Sequence, residues 1–129
     1  MTGPLEITPS IPGGRQVVSG YGPALFRVSG VVYSSSVLVF TDCTVPWPVT
    51  GMEDLTPESL APVREAAPPV EVLLLGVGAR NVPVPAALRA SLREAGIVVD
   101  AMDTGAACRT YNVLVAEDRR VAAALIAIS

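Results

Sequence analysis

The side chains best equipped for chemistry gather in one stretch: Asp103, Thr104, Cys108, Arg109, Thr110, Tyr111 and Asn112. An earlier group, Gly76, Gly78, Arg80 and Asn81, follows another apolar run. Together they offer a carboxylate, guanidinium groups, a thiol, a phenol and amides, enough to line a pocket for a small molecule or anion. Each also has a structural use. Asp103 or Thr104 can cap a helix, Arg109 can pair with a carboxylate, Asn112 can bond to backbone, and Cys108 can serve as a small buried hydrophobe. Gly76 and Gly78 suit a turn with positive φ and close packing. They are not a dinucleotide fingerprint, because the third glycine of GxGxxG would stand where Asn81 does, and Pro83 and Pro85 delay the next helix.

The missing residue types exclude more than the present ones suggest. There is no His, so no Ser-His-Asp triad, Cys-His dyad or His metal ligand can form. All nine basic residues are Arg, which removes a Walker A lysine, a Schiff base and a Ser-Lys dyad. No catalytic residue, metal site or cofactor is therefore assigned. Acid–base work would need a strongly shifted carboxylate. The net charge of −3 is spread along the chain with no basic patch, which argues against nucleic acid as a partner. Cys43 and Cys108 form no CxxC pattern; reduced structural thiols are the expectation, with a disulfide or a reactive Cys108 as the alternative.

The elements that would position these groups follow from periodicity. The 129 residues suit one domain, read as an irregular arm over 1–14 and a single unit over 15–129. Half the residues are hydrophobic, and the mean hydropathy is +0.50. Even so, the longest apolar run, Val121 to Ile128, is far too short to span a bilayer, and no secretory signal opens the chain. The expectation is a cytoplasmic protein with no transmembrane segment and a very apolar interior or contact surface.

Short β runs are expected at Gln16–Gly20, Ala24–Val28, Val31–Ser34 and Val37–Thr41. Leu25, Arg27 and Ser29 alternate with Phe26 and Val28, as in a half-exposed strand, and Val37 to Phe40 is apolar throughout, as in a strand covered on both faces. Trp47 stands between Pro46 and Pro48, either as a lid on the core or as an anchor for a partner. Thr56-Pro57-Glu58 opens a helix running to about Ala66. Glu71–Leu75 is a buried strand. Pro85–Ala95 is an amphipathic helix burying Leu88 and Leu92, turning Arg89, Arg93 and Glu94 to water, and stopping at Gly96. Ile97–Ala101 is the next strand, followed by a helix from Asp103 or Thr104 that breaks near Glu117-Asp118. Arg119–Ile128 reads equally as an alanine-rich helix or a buried strand.

The phrases Leu75-Gly76-Val77-Gly78, Gly96-Ile97, Met102-Asp103-Thr104, Ala107-Cys108-Arg109-Thr110-Tyr111-Asn112 and Arg120-Val121-Ala122-Ala123 resemble the Mth938-like family. So do Tyr33-Ser34-Ser35-Ser36-Val37-Leu38-Val39 and Val45-Pro46-Trp47. This is a domain of unknown function whose relatives include mitochondrial complex I assembly factor 3 and the adipogenesis-associated Mth938 domain protein. The resemblance runs from about Gln16 to Ile128. It departs at Cys43, where glycine is common, and at Val77, where Thr is common. It implies a three-layer α/β fold: a central, mostly parallel mixed sheet with one antiparallel strand, helices on its faces and a small extra N-terminal β-layer. It also implies that the last segment is an antiparallel strand.

Two functions stand side by side. The first is a non-enzymatic assembly or interaction factor. By analogy with the mitochondrial relative it would support respiratory complex I assembly at the inner-membrane periphery, bind complex I subunits or assembly proteins, and could self-associate through an apolar surface at Val31–Phe40 or Val121–Ile128. The second is a small-molecule binder or enzyme using the loop edge at 76–81 and 103–112.

Overall fold

The computed structural model describes residues 15–128, so the arm expected over 1–14 lies outside the described residues. The chain enters as a meander: β1 (Val18–Gly22), β2 (Leu25–Val28) and β3 (Val31–Tyr33) pair antiparallel in that order. The alternation legible in β2 is realised, with Phe26 and Val28 buried and Leu25 and Arg27 exposed.

The larger sheet has five strands in the order β5-β4-β8-β6-β7, where β4 is Val37–Val39, β5 is Thr44–Pro46, β6 is Val72–Gly76, β7 is Val98–Met102 and β8 is Val121–Leu125. β6 runs parallel to both β7 and β8, and β4 runs antiparallel to β5 and β8. Helix α2 (Ala86–Glu94) makes the crossover between β6 and β7, and α3 (Thr104–Ala116) the crossover from β7 to β8.

Side-chain alternation along the central strands divides the interior in two. Leu73 and Leu75 of β6, Ala122 and Ala124 of β8 and Leu38 of β4 meet Leu88 and Leu92 of α2, Trp47, Val49 and Val63. Leu74, Ala123, Leu125, Val37 and Val39 meet Ala107, Cys108, Tyr111 and Val115 of α3, together with Val18, Phe26 and Val28 of the small sheet. The layers are therefore helices and the Trp47 loop, then the five-stranded sheet, then α3 with the small sheet. At about 25 cal/mol per Å² of apolar surface, burial of this kind dominates the folding free energy.

Two expectations are corrected in detail. The helix from Thr56 is broken into a 3-10 turn, Glu58–Leu60, and a single turn, α1 (Ala61–Arg64). Thr56 does supply the capping hydroxyl, accepting from Ser59 N at 3.1 Å. Pro62, however, lacks the N–H that would continue the ladder and crowds the carbonyl one turn back. The last segment is a strand, as the resemblance implies, but it is antiparallel only to β4; the one strand running against the rest is β4 itself. Its alanines are no helix signal here, since all of β8 is buried between two layers and small side chains let both approach. Trp47 follows directly on the short edge strand β5, whose last residue, Pro46, blunts that side of the sheet.

The stop of α2 follows its sequence signal. Gly96 has φ +81°, its N–H donates to Arg93 O, and Ile97 N–H donates to Leu92 O at 3.0 Å. That paired closure needs a residue able to adopt left-handed backbone, and it turns the chain into β7.

Candidate functional site

β6 and β7 both end where α3 begins, and the two expected polar groups do meet there in part. Val77 N–H donates to Met102 O at 3.0 Å, and Thr104 N–H donates to Gly78 O at 2.8 Å. Thr104 is fully buried. Its hydroxyl accepts from Gly78 N–H at 2.9 Å and donates to Ile126 O at 2.8 Å, so one side chain ties the ends of β6, β8 and α3 together. Gly76 lets this happen. A Cβ there would stand 2.9 Å from Thr104 Cα and 3.2 Å from Leu125 Cδ2. Gly78 has φ +110°, a conformation that favours glycine. Asp103 caps α3, its Oδ1 accepting from Ala106 N–H at 2.9 Å.

The remaining expected residues point elsewhere. Tyr111 is buried, its hydroxyl within 3.0 Å of Gln16 O and 3.2 Å of Phe40 O. Asn112 clasps the backbone of Val18, accepting from its N–H at 2.9 Å and donating to its carbonyl at 2.7 Å. Arg109 is exposed and donates to Tyr21 Oη at 3.1 Å. Tyr21 itself lies over Gly105, where a Cβ would come within 2.5 Å of the phenol oxygen. Arg109 and Asn112 thus fasten β1 to α3, while Tyr111 ties α3 to the backbone just before β1 and just after β4. Arg80 and Asn81 are exposed on the loop, and of the expected residues only Asn81 lines the nearby cavity of about 290 Å³, with Val82, Pro83, Val84, Arg89 and Ala101.

Cys108 and Cys43 are both free thiols, so no disulfide joins them. Burial pushes the Cys108 thiol up to about 12, with Arg109 pulling it back and Asp103 adding to the rise. A thiol held protonated in this way is a hydrophobe, not a nucleophile. Burial also raises the Tyr111 phenol, with Asp42 and Cys43 adding to it. Both shifts favour the neutral form, so the stability they support is fully present below the unfolded pKa and is lost as pH rises towards the folded one. For Cys108 that window runs from 9.0 to about 12. Stability should therefore fall by about 1.4 kcal/mol per pH unit there from this group alone. Denaturation midpoints at stepped alkaline pH should include this slope, and Cys108→Ala should remove the Cys108 share of it while leaving that of Tyr111 above pH 10.0. An equal slope in the variant would contradict the assignment. At pH 8 a thiol reagent should modify exposed Cys43 and spare Cys108.

The apolar surfaces also resolve. Trp47 is 3% exposed and its indole N–H donates to Ser59 O at 2.7 Å, so it seals the core and presents almost no face to a partner. β8 is core throughout, which removes Val121–Leu125 as a surface, whereas Val31 and Val32 are 52% and 56% exposed.

The profile of the family described as "Protein of unknown function (DUF498/DUF598)" matches residues 18–126. The chain belongs to this family. An uncharacterized protein of Rhodobacter capsulatus is 38% identical over 122 residues, covering 93% of each chain. NADH dehydrogenase [ubiquinone] 1 alpha subcomplex assembly factor 3 of Danio rerio is 36% identical over 110 residues, which span 85% of this chain and 63% of that one. The solution structure of a Mth938-like domain from Bordetella pertussis is 29% identical, with a TM-score of 0.79 over 94% of this chain and 91% of that one. The three-layer architecture is thus the Mth938-like fold.

Sequence reasoning missed two contacts in this Mth938-like domain. Arg89, expected to face water, is half-buried, and its Nη1 donates to Val99 O at 2.9 Å on the outer edge of β7. The available signal was its place beside core-facing Leu88, which sets its long stem along the flank of the buried stripe. Buried Ser36, whose Oγ accepts from Ala127 N–H at 2.9 Å, was likewise not singled out. Among the described residues no helix is long and apolar enough to cross a membrane.

Proposed function

We propose that this chain is a non-enzymatic assembly factor that supports the building of respiratory complex I. Kinship carries the reading: 36% identity over 85% of this chain with a protein named as an NADH dehydrogenase assembly factor. Because the chain spans 63% of that relative, the role proposed is one the shared domain can perform by itself, which is holding a protein partner. The bonding at the loop edge supports contact over turnover. Thr104, Asp103, Tyr111 and Asn112 all engage backbone groups, and Cys108 is buried, so the densest polar cluster is occupied in holding the fold. The proposed place of action is the cytoplasmic side of the inner membrane, with complex I subunits or other assembly proteins as partners. A tagged copy purified from its own cells in mild detergent should bring complex I subunits or their assembly proteins with it, identified by mass spectrometry. Recovery of the tagged chain with no complex I component enriched over an untagged control would count against the reading.

A further inference from the structure

The free edge of β7 differs from the other edge of the main sheet. β5 ends on Pro46, which cannot donate to a further strand, while β7 carries no proline. In a parallel pair, alternate residues bond the same neighbour. Val98 N–H bonds Glu71 O and Met102 O accepts from Val77 N–H, so Val98, Asp100 and Met102 face β6. Val99 and Ala101 therefore turn their N–H and C=O groups outward. Among the described residues one bond meets this outward row, from Arg89 Nη1 to Val99 O.

Space accompanies the open row on both sides of Arg89. One cavity of about 290 Å³ lies between the 81–84 loop and Ala101. A second of about 270 Å³ lies between Arg93 and the Ile97–Val99 backbone. The charged side chains lining the two are Arg89 and Arg93, both cationic, in a chain whose net charge is −3. On the opposite face of the strand, Val98 is 66% exposed, more than any other large apolar side chain among the described residues.

We infer that β7 is a docking edge for an extended, acidic segment of a partner protein, which adds to the five-stranded sheet as a further strand. Backbone of the incoming segment takes the Val99 and Ala101 N–H and C=O groups. Arg89 releases Val99 O and pairs with a carboxylate, with Arg93 beside it, and an apolar side chain covers Val98. The charge selects this occupant over a second copy of the chain: a two-fold edge pairing would bring the arginines of one groove against those of the other. Arg89 meanwhile acts as a plug, since an uncovered edge strand invites promiscuous pairing.

The inference rests on the protein-binding reading and names its surface. It is tested by panning a random peptide library against the full chain in vitro. Enriched peptides should be acidic. They should bind Arg89→Glu/Arg93→Glu about tenfold or more weakly, a loss of about 1.4 kcal/mol or more. They should also slow amide exchange at Val99 and Ala101 while leaving Val32 and Val45 unchanged. If loss of the Arg89 bond unfolds the edge, Arg93→Glu alone, at an exposed helix position, should still weaken binding severalfold. No enrichment, peptides without acidic bias, equal binding by the variants, protection confined to β3 or β5, or a dimer that hides the Val99 and Ala101 amides would each overturn it. Any of these can occur while the chain still co-purifies with complex I proteins, so the two readings fail separately.

Discussion

Replacing Thr104 with valine should destabilise the fold by about 3 kcal/mol with little change in shape. The two side chains are nearly the same size, so packing among Gly76, Leu125 and α3 survives. What disappears is the hydroxyl that accepts from Gly78 N–H and donates to Ile126 O. Both backbone groups then lose their partner, the buried Ile126 carbonyl and the half-buried Gly78 N–H, and an unsatisfied buried group costs about 1–3 kcal/mol. Against a typical total of about 5–15 kcal/mol this is a large fraction. Urea unfolding should show a lower midpoint with an unchanged slope. Thr104→Ser, which keeps the hydroxyl and loses one methyl, should cost about 1 kcal/mol. If valine and serine cost the same, Thr104 is not the hydrogen-bonded pin described above.

Gly76→Ala should be nearly as damaging, about 1–3 kcal/mol, for a steric reason. The new methyl would stand 2.9 Å from Thr104 Cα, and that atom belongs to the backbone of α3. The helix would have to lift from the end of β6, loosening the Thr104 hydrogen bonds as well. Gly105→Ala makes the control. Its Cβ would come even closer, 2.5 Å, but to the hydroxyl of Tyr21, the far end of an exposed side chain. Tyr21 can swing aside at the loss of its contact with Arg109, and the cost should stay below about 1 kcal/mol. Thermal unfolding of the two variants should therefore rank Gly76→Ala well below Gly105→Ala. The reverse order would mean that the β6–α3 junction yields more easily than the small sheet.

Local signals in this chain were easier to read than distant ones. The alternation around Phe26, the Gly96 stop and the Asp103 cap depend on near neighbours, and each is realised in the described residues, as is the covered run from Val37 except that the strand stops at Val39, short of Phe40. The roles of Thr104, Tyr111 and Asn112 depend on Ile126, Gln16 and Val18, which only the fold brings near. A list of polar residues beside an apolar core therefore looked like a pocket, whereas most of those residues are joints between layers. The closing alanines left helix and strand open for the same reason, because only the fold shows that β8 lies between two packed layers that favour small side chains. Arg89 escaped notice because a helix pattern places its Cα on the solvent flank and does not show its guanidinium reaching back to the sheet edge.

The most direct test of the assembly role is deletion of the gene for this chain in its own cells, with complex I resolved on native gels. The account predicts less fully assembled complex I, accumulation of partial assemblies, unchanged synthesis of the individual subunits, and restoration by the wild-type chain. Normal amounts of assembled and active complex I in the deletion strain would contradict it.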